Sequence, residues 1–162
     1  MALELNGTTG VSAVQAGAVE SGDLPAGSVI QVVQNARAVR DIISSTSYQA
    51  TGYEVSITPK SANNKIIVVF NSTGQVNTGG QSAYITIFKN NTVNLGGGVG
   101  DGFLQIFGAD SNDIDQASTF YIDSPATTSE VTYTLYAKTN SGQIRVGRSD
   151  VLSTATAMEI AG

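Results

Sequence analysis

Six carboxylates fall between residues 90 and 137, a stretch that holds neither Lys nor Arg: Asp101, Asp110, Asp113, Asp115, Asp123 and Glu130. Closely spaced acids can bind a hard cation or work as an acid–base pair on a glycosidic bond. The densest run, Asp110-Ser111-Asn112-Asp113-Ile114-Asp115, fails as an EF-hand loop. That loop needs an oxygen ligand at its fifth position, Gly at the sixth and Glu at the twelfth, where this chain has Ile114, Asp115 and Tyr121. An oxygen-only calcium site fed by Asp101 stays open, but no motif indicates one, so no cofactor is expected. A glycosidase pair needs carboxylates roughly 5 or 9 Å apart, a spacing that sequence does not supply.

Other catalytic chemistry meets harder obstacles. The chain contains no His, Cys or Trp, which excludes Ser-His-Asp triads, His metal sites, thiolate sites and disulfides. Ser61 and Lys65 are spaced wrongly for a Ser-x-x-Lys nucleophile pair. The glycine run 96–102 is not followed by Lys-Ser/Thr, so it is not a phosphate loop, and Phe103 stands where a dinucleotide fingerprint needs its last Gly. The reading is therefore a protein that is not an enzyme. Recognition is the activity that fits, because loops rich in Gly, Asn, Asp and Ser offer hydrogen bonds to sugar hydroxyls. Phe103, Phe107 and Tyr121 could add ring faces, although at least two of these three are expected in the core. Phe103, Asp110, Asn112 and Asp113 are the candidate ligand-binding residues.

Net charge is −5, and the acidic block argues against nucleic acid, which needs clustered cations to displace phosphate counterions. No apolar run approaches the roughly 18 residues of a membrane span, so no membrane insertion is expected. The first residues lack the basic and apolar regions of a secretory signal. Asn-x-Ser/Thr sequons at Asn6, Asn71 and Asn90 are the expected incidence in a chain so rich in these residues.

The elements that would position such loops are strands. Val and Ile number 29 against 7 Leu, and β-branched side chains lose less freedom in strands than in helices. The fold class is all-β. Residues 1–27 read as an extended N-terminal arm, with a turn at Leu24-Pro25-Ala26-Gly27 and a brief helical pattern at Val11, Val14, Ala18 and Val19. Residues 28–162 read as one head domain of about nine short strands, a sandwich or barrel signature. These are centred on 29–33, 53–57, 65–70, 83–88, 103–107, 120–122, 131–137, 144–146 and 156–160, with a turn at Asn90-Asn91 that could lead into a further short run at 92–95. The 65–70 run is apolar on both faces, which predicts a central strand with one face on the core and the other against a neighbouring subunit. Ile66, Val68 and Phe70, with the aromatic face of Tyr84 and Phe88, are the candidate contacts across a threefold axis.

Four segments carry a resemblance. The run Ile57-Thr58-Pro59-Lys60-Ser61-Ala62-Asn63-Asn64-Lys65-Ile66-Ile67-Val68 resembles a hairpin of small tail-fibre-like proteins from tailed bacteriophages of marine bacteria and cyanobacteria. Val131-Thr132-Tyr133 after Ser124-Pro125-Ala126, and the terminal Met158-Glu159-Ile160, are similar to other stretches there, and Leu5-Asn6-Gly7-Thr8-Thr9-Gly10 looks like such a fibre's start. The resemblance implies a virion protein, a homotrimer with an antiparallel jelly-roll β-sandwich head similar to the C1q and tumour-necrosis-factor group. Residues 1–27 would attach to other virion proteins, and the head would bind a host-surface glycan as a short tail fibre or adsorption protein. The alternatives are a capsid decoration (cement or head-fibre) protein and, further off, a glycan-degrading tailspike. The long shaft of many such fibres is missing from this sequence.

Overall fold

A computed structural model describes residues 23–97, 102–110 and 113–162. The helical pattern at 11–19, most of the 1–27 arm, Asp101 and Asn112 lie outside them. Eleven strands and no α-helix occupy the described residues: β1 (Val29–Arg37), β2 (Asp41–Ile43), β3 (Gln49–Ile57), β4 (Lys65–Val76), β5 (Gln81–Lys89), β6 (Val93–Asn94), β7 (Leu104–Gly108), β8 (Ile114–Asp123), β9 (Val131–Thr139), β10 (Ile144–Val146) and β11 (Ser153–Ile160). They form two antiparallel sheets. In the first, β4 is central, with β8 along one edge and β11 and β10 end to end along the other. There β1 flanks β11 and β2 flanks β10. The second sheet runs β3, β9, β5, with β6 and β7 sharing the far edge of β5.

Four of these pairings are nested in sequence. Residues 81–85 pair with 104–108, 66–75 with 114–123, 54–57 with 131–134, and 29–37 with 153–160. Each wider pairing encloses the next, so the chain follows one long antiparallel hairpin. Successive segments of that hairpin fall in alternate sheets.

Period-two alternation decides what lies between the sheets. Tyr53, Val55 and Ile57 of β3, Ala83, Ile85 and Ile87 of β5, and Val131, Tyr133, Leu135 and Ala137 of β9 are all buried. From the first sheet they meet Ile66, Val68, Phe70 and Val76 of β4 and the small Ala155 and Ala157 of β11. Each large side chain buried here contributes about 1.5–3 kcal/mol.

This places the proposed threefold contacts differently from expectation. Ile66, Val68 and Phe70 belong to the core, Phe70 being 1 % exposed, so they cannot meet another chain. Alternation separates two faces of a strand but does not say which is inside; the side facing the second sheet happens to carry the even-numbered residues. Tyr84 and Phe88 do point outward, but from the second sheet. The five residues therefore share no surface.

Turns follow their residues. Asn90 and Asn91 have φ of 50° and 56°, the two-residue geometry that matches hairpin twist. Ser28 donates its N–H to the Pro25 carbonyl at 3.1 Å around Gly27 at φ 89°. Gly147 is the least replaceable turn residue. Its φ is +73°, and an added Cβ would lie 2.6 Å from the Val39 carbonyl oxygen and closer still to the Tyr53 hydroxyl. Gly147→Ala combines left-handed strain with overpacking, and we expect a loss of about 2–4 kcal/mol in urea unfolding. A loss below about 1 kcal/mol would contradict this packing.

Candidate functional site

Of the four candidate ligand residues, Asn112 lies outside the described residues, and the other three do not form one site. Phe103 precedes β7 and Asp110 follows it, which puts roughly 17 Å of strand between them. Phe103 is half-buried, its ring 5.4 Å from that of Tyr121, and both pack against the core, while Phe107 points to solvent. Asp113 accepts the Asp110 N–H at 3.0 Å, which closes the turn into β8. These acids thus shape a loop. Among the described residues no three acidic side chains converge as cation ligands would.

The outer face of the first sheet has a more distinctive surface. Register aligns Val32, Met158, Ile67 and Ile122 in one row across β1, β11, β4 and β8, and Gln34, Thr156, Val69 and Phe120 in the next. The rows span about 14 Å. Phe120 is 67 % exposed, Val32 57 % and Ile122 51 %, while Ile67, Val69 and Met158 are half-exposed between them. Contiguous apolar surface of this kind marks an interaction site. Outward strand positions of this sheet carry no acid; Lys65 and Arg145 are their only charges, at opposite ends.

The outer face of the second sheet is aromatic. Phe88 and Tyr136 stack with centroids 4.0 Å apart, and Tyr48 lies 6.1 Å from Phe88. The next row pairs Lys138 with Tyr84. The Lys138 ammonium sits 4.9 Å from the Tyr48 centroid and 5.1 Å from that of Tyr84, within cation–π range. Beside it opens a cleft of about 360 Å³ lined by Thr46, Tyr84, Lys138, Thr139 and Asn140. The side chain of Asn140 accepts the Ser82 N–H at 2.9 Å through Oδ1, which fixes the amide.

Two buried acids were invisible in the sequence as organising groups. Glu159 on β11 is fully buried. Its Oε1 accepts from the Lys60 N–H at 2.6 Å and from Asn64 Nδ2 at 2.7 Å, and its Oε2 accepts from Gln31 Nε2. Burial alone would raise its pKa, but donors from Asn64, Gln31 and the Lys60 and Ser61 backbone outweigh it and hold the carboxyl below the usual range. Glu159 thereby ties the 58–64 hairpin to the last strand. Asp123 on β8 accepts from the buried Tyr133 hydroxyl at 2.8 Å and pairs with Lys89 at 3.1 Å, which joins the two sheets. Burial first, and then the hydrogen bond and charge of Asp123, push the Tyr133 hydroxyl far above the usual tyrosine range. The only local hint was an acid inside an apolar strand pattern, at Glu159 between Met158 and Ile160.

No protein-family model matches the chain, and no curated protein matches it.

Proposed function

We propose that this chain is a structural protein of a bacteriophage virion: a homotrimeric short tail fibre or adsorption protein that binds the host surface through a jelly-roll head. The observation that carries it is the apolar, acid-free outer face of the first sheet. Copies that each carry a net charge of −5 repel one another, so they associate best through a face that holds no acid. Closed threefold symmetry would bury that face on every copy without leaving it open to further growth. Nested pairing with alternate sheets is the connectivity of a jelly roll, which supports the head assignment. The resemblance of the 57–68 hairpin and the 124–133 stretch supports a virion setting, and residues 1–27 are the arm toward other virion proteins. The work of such a head is multivalent binding, with three weak sites on one rigid body.

Sedimentation at micromolar concentration tests the oligomer. The wild type is expected at three times the chain mass, and Phe120→Asp with Ile122→Asp as a monomer. Both side chains are mostly exposed in one chain, so the variant's melting temperature as a monomer should reflect an intact sandwich. A monomeric wild type, or a trimeric variant, would refute this interface. Immunogold labelling of intact particles tests the location. Label at the tail end supports adsorption; label over the head favours capsid decoration; unlabelled particles reject the virion setting.

A further inference from the structure

Arg145 is a cation with no counter-charge in its own described chain, and assembly is where one can come from. We propose that the outward row bearing Arg145 on one copy docks on the β8 edge of the next, with the Asp115 carboxylate as the arginine's partner. The inference rests on the trimer reading and deepens it by naming the two surfaces that meet.

Register places Ile42, Arg145, Gln75 and Ile114 in one outward row across β2, β10, β4 and β8. From Ile67 to Gln75 along β4 is roughly 27 Å, so this is a second patch at the far end of the face that carries Val32 and Ile122. Ile42 is 54 % exposed and Ile114 45 %, which sets the row's arginine between apolar surfaces. Its Nη1 donates to Gln75 Oε1 at 3.2 Å, and its Nε is buried without an acceptor. Among the described residues no carboxylate comes within ion-pair distance of it. An arginine held between exposed aliphatic side chains has the composition of an interface centre, where Arg is enriched and the other charges are depleted.

A threefold contact is heterologous, so this row must meet a different surface of the neighbouring copy. Rotation about an axis along the strands keeps each end of the sandwich at one height, which limits the acids that can reach Arg145. Asp41, Asp123 and Asp150 already pair with Arg37, Lys89 and Arg148, and Glu159 is buried. Asp23 precedes the Gly27 turn that bonds to Ala161, and Glu130 precedes Val131, the partner of Ile57; both lie at the opposite end, where β4 begins. The Asn35 amide reaches the Glu54 carbonyl, which puts Glu54 level with Phe70 in mid-strand. Asp110 and Asp113 belong to the turn that their own hydrogen bond closes. Asp115 remains. It is exposed on the edge strand β8, next to Ile114 of the arginine row. Successive strand residues point to opposite sides, so Asp115 faces away from Arg145 of its own chain and toward a neighbour. Desolvated on assembly, such a charge pair fixes which surface meets which.

Charge swapping, read by sedimentation equilibrium of the full chain across a dilution series, tests the pair. Arg145→Asp and, separately, Asp115→Arg should each weaken the trimer at least about tenfold. The double variant restores opposite charges across the contact and should return to within about threefold of wild type. The same three variants in the monomeric Phe120→Asp, Ile122→Asp background show whether the effect lies within one chain. There each single change should move the melting temperature by no more than about 3 °C, with no compensation in the double. A trimer indifferent to Arg145→Asp, a double variant no tighter than the singles, or compensation within the monomer would each overturn the pair. The two readings fail differently: a wild-type trimer that tolerates Arg145→Asp rejects this contact alone, and a monomeric wild type rejects the trimer and the contact with it.

Discussion

Replacing Glu159 with Ala is expected to lower the unfolding free energy by about 3–5 kcal/mol at pH 7, the range for removing one partner from a buried charge network. The side chain is inaccessible to water. Its removal leaves Asn64 Nδ2 and the Lys60 N–H facing a small cavity without this acceptor, while Gln31 Nε2 keeps its bond to the Thr58 carbonyl, and each orphaned donor carries a desolvation penalty. Glu159→Gln preserves shape but turns one oxygen into a donor that must oppose an existing donor, so about 2–3 kcal/mol is expected. The damage should be local before it is global. Amide exchange at Lys60 and Asn64 should accelerate first, because the 58–64 hairpin is held to β11 by this carboxylate. Acid should reproduce the effect. The folded carboxyl titrates below its ordinary value of 4.5, so its stabilisation is complete above that pH and is lost as pH falls through the folded value. Urea midpoints at pH 7 and pH 3 should converge for wild type and Glu159→Gln relative to their separation at neutral pH. Variants within 1 kcal/mol of wild type at pH 7 would show that the donors find other partners.

Much of the fold could be read from alternation where one face is buried and the other is polar. The 131–137 segment alternates Val, Tyr, Leu and Ala with Thr and Tyr, and β9 buries the first set. The 83–88 faces separate similarly in β5, except that Thr86, on the side of Tyr84 and Phe88, is also buried. Pattern failed where burial is sparse. β8 begins at Ile114, well before the Phe120 and Ile122 that announced it, because in Ile114-Asp115-Gln116-Ala117-Ser118-Thr119 only Ala117 is buried and an edge strand needs little more. The three-residue β2 offers too short a window for any periodicity. The doubly apolar 65–70 run predicts a central strand, which β4 is, but its even-numbered residues face the core instead of a neighbouring chain. A run that is apolar at every position contains no alternation from which parity can be taken. Phe103 and the Asp110–Asp113 turn lie apart for a related reason: Gly, Asp and Asn mark turns as well as they mark binding loops. Tyr84 and Lys138 were visible individually, but their partnership depends on the β5–β9 register, which no local pattern encodes.

The two outer faces of the sandwich divide the proposed work. The first sheet presents Val32, Ile67, Phe120, Ile122 and their neighbours without an acid among them, a surface suited to another copy. The second presents tyrosine rings and Lys138, a surface suited to a polar ligand. Asp110 and Asp113 lie between β7 and β8, and Asp115, inside β8, stands on the side of that strand opposite Phe120 and Ile122. An adsorption protein needs this separation, since a ligand site on the association face would be lost upon assembly.

Asp123 supplies the other large expected effect, because it is a buried polar bridge between the sheets that bear those two faces. Its carboxylate meets Tyr133 from β9 and Lys89 from β5, so Asp123→Ala strands a buried hydroxyl and a largely buried ammonium together. We expect a loss of about 3–4 kcal/mol. Asp123→Asn retains an acceptor for the tyrosine but not the ion pair, and should lose about 1–2 kcal/mol; Tyr133→Phe should lose about 1 kcal/mol. Because both single changes act on one contact, the double variant should be less damaged than their sum. Alkali provides an independent sign. The folded Tyr133 hydroxyl titrates well above the ordinary value of 10.0, so the unfolded chain releases its proton first. Stability from this group is therefore full below about pH 10 and falls as pH rises further. Tyr133→Phe should be weaker than wild type at pH 7 and close the gap in urea midpoint by pH 11. A gap that stays constant or widens would mean that the hydroxyl is not held protonated by its burial and by Asp123.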